Sequence, residues 1–258
     1  MLVVVSCRSI AFALFALALL GPLLGSLPAQ GTTLRTVQQS NSRAKYAPGD
    51  ANRPGICMEM LRAVEQAEPG LRFSGLDQQA PLRRVEIMLA QGEIDVFFCL
   101  LRSAEREKQW RYLPVPLYRI QHMVAMRQDG GDEPRDLAEL VAASRDKPVV
   151  VTRGTVLAAT LREAGVAVTE VASDFEALQM LAMGRTDHVY GQDLNLQRHL
   201  REFRSGEKLR IAATVFQTDL QFLAVGRKVP VAVEQRLLRA LQKLEREGQL
   251  KAISDKYR

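Results

Sequence analysis

The chain reads as an α/β protein of two lobes. β-Branched apolar runs alternate with amphipathic helical stretches along its length, glycines punctuate the joins, and the same pattern restarts in the second half. Residues 81–118 hold the clearest unit: a helix, a tight turn, a wholly apolar strand, a polar loop and the start of a second helix. That order puts the polar segment Ser103-Ala104-Glu105-Arg106 at the carboxyl end of a strand, where ligands of open α/β sheets bind.

In chain order, residues 34–39 predict a short strand and residues 46–54, with Pro48, Gly49, Asp50 and Pro54, a turn-rich loop. Ile56, Met60, Leu61 and Val64 recur at helical spacing, predicting a helix over 56–66 with Glu59 outward. Residues 71–75 follow as a strand, 82–90 as a helix closed by Gly92, and 94–99 as a continuous apolar strand that suits a central parallel position covered on both faces. In the second half, 147–151 is a β-branched strand and 156–164 a helix that Thr152 and Thr155 are suited to cap. Residues 166–171 are a strand, 175–183 a helix, 188–191 a short strand leading to Gln192 and Asp193, 220–225 a strand, and 231–247 a long helix.

The first residues point to export. Arg8 precedes an apolar run over 10–24, and Leu27-Pro28-Ala29 offers small residues for cleavage, so 1–29 reads as a signal peptide. The run falls short of the about 20 residues a spanning helix needs. What is left, about 230 residues, is enough for one large or two small domains with a real core. The net charge of +6 falls by one when Arg8 is removed, and the basic residues at 83–84 and 198–210 are interleaved with acids and lack an aromatic comb. Nucleic acid is therefore not an expected partner.

Cys57 and Cys99 survive cleavage, and an exported compartment permits a bridge between them; two buried thiols are the alternative. No cysteine pair has zinc-ligand spacing and His122, His188 and His199 form no helical cluster, so neither a metal nor a cofactor is called for.

Six segments, in order, resemble signatures of the family 3 periplasmic solute-binding proteins, the polar amino-acid-binding type that serves ATP-binding-cassette importers. Leu89-Ala90-Gln91-Gly92-Glu93-Ile94-Asp95 resembles that family's L-x-x-G-x-x-D turn, Ser103-Ala104-Glu105-Arg106 its T-P-E-R, and Leu113-Pro114-Val115-Pro116-Leu117-Tyr118 its F-S-x-P-Y. Val149-Val150-Val151-Thr152-Arg153-Gly154-Thr155 is similar to V-G-V-Q-x-G-T, Gly184-Arg185-Thr186-Asp187 to G-R-x-D, and residues 241–257 to the closing L-x-x-L-x-x-x-G-x-x-x-x-I-x-x-K-Y. The resemblance implies a type II two-lobed fold. Residues 30–120 and 219–258 would form lobe I and 121–218 lobe II, with hinge crossings near 119–122 and 217–221. It further implies a periplasmic monomer that closes on a small polar solute and delivers it to a membrane permease.

On the same resemblance, Arg106 matches the arginine that grips the solute's carboxylate with two parallel hydrogen bonds. Ser103 belongs to that loop, and Leu101 or Arg102 stands where a serine or threonine is usual. Gly154 and Thr155 open a helix whose free backbone donors favour an anion. Tyr46 is a candidate wall of the cleft. An aspartate five residues after G-R-x-D usually holds the ammonium group; here Gln192 has that position and Asp193 lies one place late, which in a strict strand register is the other face, whereas a bulge would restore Asp193 to the grip. Two other functions share the architecture. One is a receptor-coupled sensor; the other is a dehydratase, for which Glu59, Glu105 or Asp193 would have to donate a proton.

Overall fold

The computed structural model describes residues 1–2, 31–202 and 208–258; the expected signal peptide, beyond its first two residues, and residues 203–207 of the basic stretch lie outside the described residues. Among the described residues no helix is long and apolar enough to cross a membrane.

Lobe I begins with β1 (Thr32–Arg35), which pairs in parallel with β3 (Leu71–Ser74), and the short β2 (Gln38–Gln39), which pairs with β4 (Gln79–Ala80). Between them runs α1 (Ile56–Ala67), one residue longer than its apolar stripe predicts, burying Ile56, Cys57, Met60, Leu61 and Val64. α2 (Leu82–Gln91) ends where Gly92 takes the left-handed conformation at φ 73°. The apolar run then forms β5 (Val96–Leu101), buried at every residue. Its direction differs from the expectation: β5 pairs antiparallel with β11 (Gln217–Val225). Continuous apolarity reports burial of both faces and carries no information on strand direction.

A second helix start, α3 (Ala104–Glu107), lasts four residues, after which the chain enters β6 (Arg111–Arg127). β6 belongs to both lobes. Its first part pairs with β11, and its second with β9 (Val189–Gln192) and β10 (Leu209–Ile211), so that His122 has Gln217 on one side and Gln192 on the other. Lobe II adds α4 (Leu137–Ala143), β7 (Val149–Thr152), α5 (Val156–Glu163), β8 (Val168–Val171), α6 (Asp174–Ala182) and α7 (Asp193–Glu202); β7 lies parallel to both β8 and β9. The chain closes with α8 (Val231–Arg246) and α9 (Gln249–Lys256), packed on α1. One apolar core lies under lobe I, and two smaller ones around Val124, Val151 and Tyr190 and around Ala125, Leu178 and Leu196 line the two faces of the lobe II sheet.

Cys57 and Cys99 form a disulfide joining α1 to β5, which resolves the two alternatives left by the sequence. Cys99 sits at a bulge: Phe222 pairs with Leu100 and Ala224 with Phe97, and Cys99 takes a φ of 64°, uncommon for any residue but glycine.

Candidate functional site

The carboxyl ends of β5, β7 and β9 and the start of α6 surround a cavity of about 60 Å³. Gln39, Lys45, Leu101 and Arg106 line it from lobe I; Thr152, Thr155, Asp174 and Gln192 line it from lobe II. It opens near a wider groove between α2 and α5, which Arg106 and Thr155 share with Ser103, Gly154 and Glu86.

Four of the eight residues singled out from the sequence therefore border the cavity itself: Arg106, Leu101, Thr155 and Gln192. Ser103 and Gly154 border only the outer groove. Ser103 caps α3, its Oγ accepting from the Arg106 backbone N–H at 3.4 Å. Gly154 makes the left-handed turn before α5 at φ 76°. Thr155 stands at the cap position of that helix, but its hydroxyl donates back to the Thr152 carbonyl at 2.9 Å, and the Thr152 hydroxyl is bonded to Asp174. Neither threonine side chain caps the helix, which leaves the backbone N–H groups at its start open.

Two residues stand elsewhere. Tyr46 is buried in the lobe I core, its ring 6.2 Å from that of Phe97 and its hydroxyl donating to the Phe98 carbonyl at 3.2 Å, so it supports β5 from behind and does not wall the cavity. Asp193 is buried at the hinge: Oδ1 accepts from the Gln121 N–H at 3.1 Å, and Oδ2 is 2.6 Å from Arg258 Nη1. Gln192, the last residue of β9, borders the cavity, whereas Asp193 opens α7 and is tied to the hinge.

Arg106 is itself buried and already partnered. Its Nε and Nη2 donate to Glu86 and its Nη1 to the Leu101 carbonyl at 2.9 Å, an ion pair within lobe I and with neither Glu105 nor Glu107. The guanidinium has five donors, so part of the fork is left for a solute, but much of its charge is offset by Glu86. Leu101 offers no hydroxyl; its carbonyl holds both Arg106 and the Tyr112 hydroxyl. Arg84 pairs with Glu93 on the surface and Arg153 is exposed.

Two site residues escape the sequence reading. Lys45 is 6% exposed, and its ammonium donates to the Cys99 carbonyl at 2.8 Å and, at 3.5 Å, to Gln221 Oε1. The local chain forces it inward: Ile56 N–H bonds the Ala44 carbonyl, Cys57 N–H bonds the Lys45 carbonyl, and a Cβ at Gly55 would meet that carbonyl oxygen at 2.2 Å. Burial pulls the Lys45 pKa down to about 7, with the nearby Arg106 charge adding to the shift. Asp174, the first residue of α6, is buried beside Thr152, with His199 Nε2 at 3.8 Å from its Oδ2. Burial raises its pKa, against the opposing pull of the Thr152 hydroxyl and His199. Among the described residues no three His, Cys, Asp or Glu side chains gather to hold a metal ion.

The cavity and the groove form a cleft between the two lobes. No family model matches the chain, and no curated protein matches its sequence. Solved structures do share its fold. A histidine kinase sensor domain similar to periplasmic binding proteins superposes with a TM-score of 0.74 at 22% identity, over 88% of this chain and 96% of that one. The GluR0 ligand-binding core complexed with L-glutamate gives 0.74 at 14% identity, over 88% and 98%, and an ancestral arginine-binding protein bound to arginine gives 0.71 at 19%, over 88% and 99%. The chain has the two-lobed fold of the periplasmic binding proteins.

Proposed function

We propose that the chain is an exported, monomeric solute-binding protein that captures a small polar solute bearing a carboxylate and presents it to the membrane permease of an ATP-binding-cassette importer. Residues 30–120 and 219–258 would form one jaw and 121–218 the other, closing about β6 and β11. The observation that carries this reading is the cavity lined from both lobes by polar side chains, with Arg106 and Lys45 on one wall and Thr152, Thr155 and Gln192 on the other. A solute that bridges the walls favours the closed arrangement, because each lobe alone offers only half of the contacts.

The enzymatic alternative gains little. Glu59 is tied to Lys256 and Tyr257, Glu105 to Lys108 and Asp193 to Arg258, and none of the three borders the cavity. The sensory alternative has one observation in its favour, the likeness to a kinase sensor domain.

A thermal-shift screen against amino acids, dicarboxylates and small aromatic acids tests the proposal, since a ligand of the native state raises the melting temperature by mass action. A rise with at least one carboxylate is expected. A melting temperature unmoved by every acid would overturn the reading.

A further inference from the structure

Lys45 is a buried cation facing the cavity with only neutral partners. Its ammonium bonds a carbonyl and a side-chain amide, and among the described residues no carboxylate pairs with it. Burying a charge without a counter-charge is costly, which draws the ammonium towards its neutral form unless an anion pairs with it. Arg106 cannot share that role evenly, because Glu86 already offsets it. We infer that Lys45 forms a second anion subsite beside Arg106, so that the solute is an acidic one carrying two carboxylates. This rests on the binding reading above and narrows it to a substrate class.

The arrangement supports the choice in three ways. The two cations belong to separate elements, Lys45 to the loop before α1 and Arg106 to α3, so they present two anchor points and not one shared grip. Lobe II opposes them with the amides of Gln192 and Asn195, which can donate to a carboxylate without adding charge. The one acid on that wall, Asp174, is bonded to Thr152 and backed by His199; it is positioned to accept an ammonium group where the solute has one. The cavity, about 60 Å³, suits a short dicarboxylate or an acidic amino acid.

The subsite has a pH signature. The charged groups around Lys45 are Arg106, with Glu86 behind it, and Asp174 with His199 across the cavity. With its pKa drawn down to about 7, Lys45 is charged in the empty protein below that pH and increasingly neutral above it. An anion bound against it favours the charged form and raises the pKa. Binding therefore takes up a proton above pH 7 and takes up little below it, and affinity falls as pH rises through 7.

The test is calorimetric titration of the mature protein with L-glutamate, succinate, L-alanine and acetate, at several pH values and in buffers of different ionisation enthalpy. Expected are tighter binding of glutamate or succinate than of the monocarboxylates, and proton uptake approaching one per solute near pH 8. In Lys45→Met the dicarboxylate affinity should drop tenfold or more, with proton uptake lost. Glutamate against succinate reports whether Asp174 adds an ammonium grip. Equal dicarboxylate affinity in Lys45→Met, or wild-type binding without proton uptake, overturns the second subsite. Binding of alanine or acetate alone overturns it while leaving the binding function standing, whereas no binding of any carboxylate in this or the wider thermal screen overturns both.

Discussion

The two walls of the cavity are built on different principles. Lobe I contributes charge held by a rigid backing: Arg106 fixed by Glu86 and Leu101, Lys45 fixed by Cys99 and Gln221, and behind them the Cys57–Cys99 disulfide and the Tyr46 hydroxyl. Lobe II contributes neutral donors and acceptors at the ends of β7 and β9, with a single acid that is already hydrogen-bonded. The difference teaches which wall meets an anion first. An uncompensated cation attracts a carboxylate in the open state, whereas hydroxyls and amides add affinity only once their geometry closes on it. α7 supplies links between the walls. Arg198 reaches Asp50 at 2.9 Å, Arg43 reaches Glu202 at 3.5 Å, and the Ser42 hydroxyl lies 3.4 Å from Asn195 Oδ1.

The comparison breaks most severely through the backing of lobe I. Cys57 and Cys99 close a loop of 42 residues, and the double substitution to serine is expected to cost about 3–4 kcal/mol of stability on chain-entropy grounds. Denaturant titration of the variant against wild type measures it. Next comes Arg106→Ala, expected to lower solute affinity by at least ~2 kcal/mol by removing a buried charge-assisted contact. Arg106→Lys separates lost charge from lost fork geometry, and an affinity equal to wild type in the alanine variant would remove Arg106 from the site.

The neighbours Gln192 and Asp193 give the sharpest contrast on the other side. Asp193→Ala should cost about 1–3 kcal/mol of stability by stranding the Gln121 N–H and Arg258, and leave affinity nearly unchanged. Gln192→Ala should do the reverse, costing about 1 kcal/mol of affinity and little stability. Thermal melts and calorimetry on the pair read both effects. The smallest effect belongs to Tyr46→Phe: loss of its bond to Phe98 is worth about 1 kcal/mol of stability or less, and the solute should not notice.

The sequence exposes the alternation of strands and helices because burial imposes periodicity, and α1, α2, α5, α6 and α8 fall within one or two residues of their apolar stripes. It conceals α7, whose inner side is only partly apolar: Arg198 and His199 are buried there through ion pairs with Asp50 and Asp174, and an apolar count passes over such residues. Strand direction in β5 is likewise silent, since a fully covered strand is apolar either way. Lys45 and Asp174 are hidden for a related reason. A lysine in a loop and an aspartate opening a helix both have ordinary solvent-facing roles, and only the tertiary contacts around Gly55 and Thr152 turn them inward. The order Gln192-Asp193 leaves two readings open, since a strict strand register and a bulge place the side chains differently, and the chain passes from β9 into α7 between the two residues.

A crystal structure of the protein with the solute that gives the largest thermal shift tests the central claim most directly. The expected result is solute density in the cavity between the lobes, with a carboxylate within hydrogen-bonding distance of Arg106 or Lys45 on one side and of Thr155 or Gln192 on the other. Solute bound elsewhere, or touching one lobe alone, would contradict it.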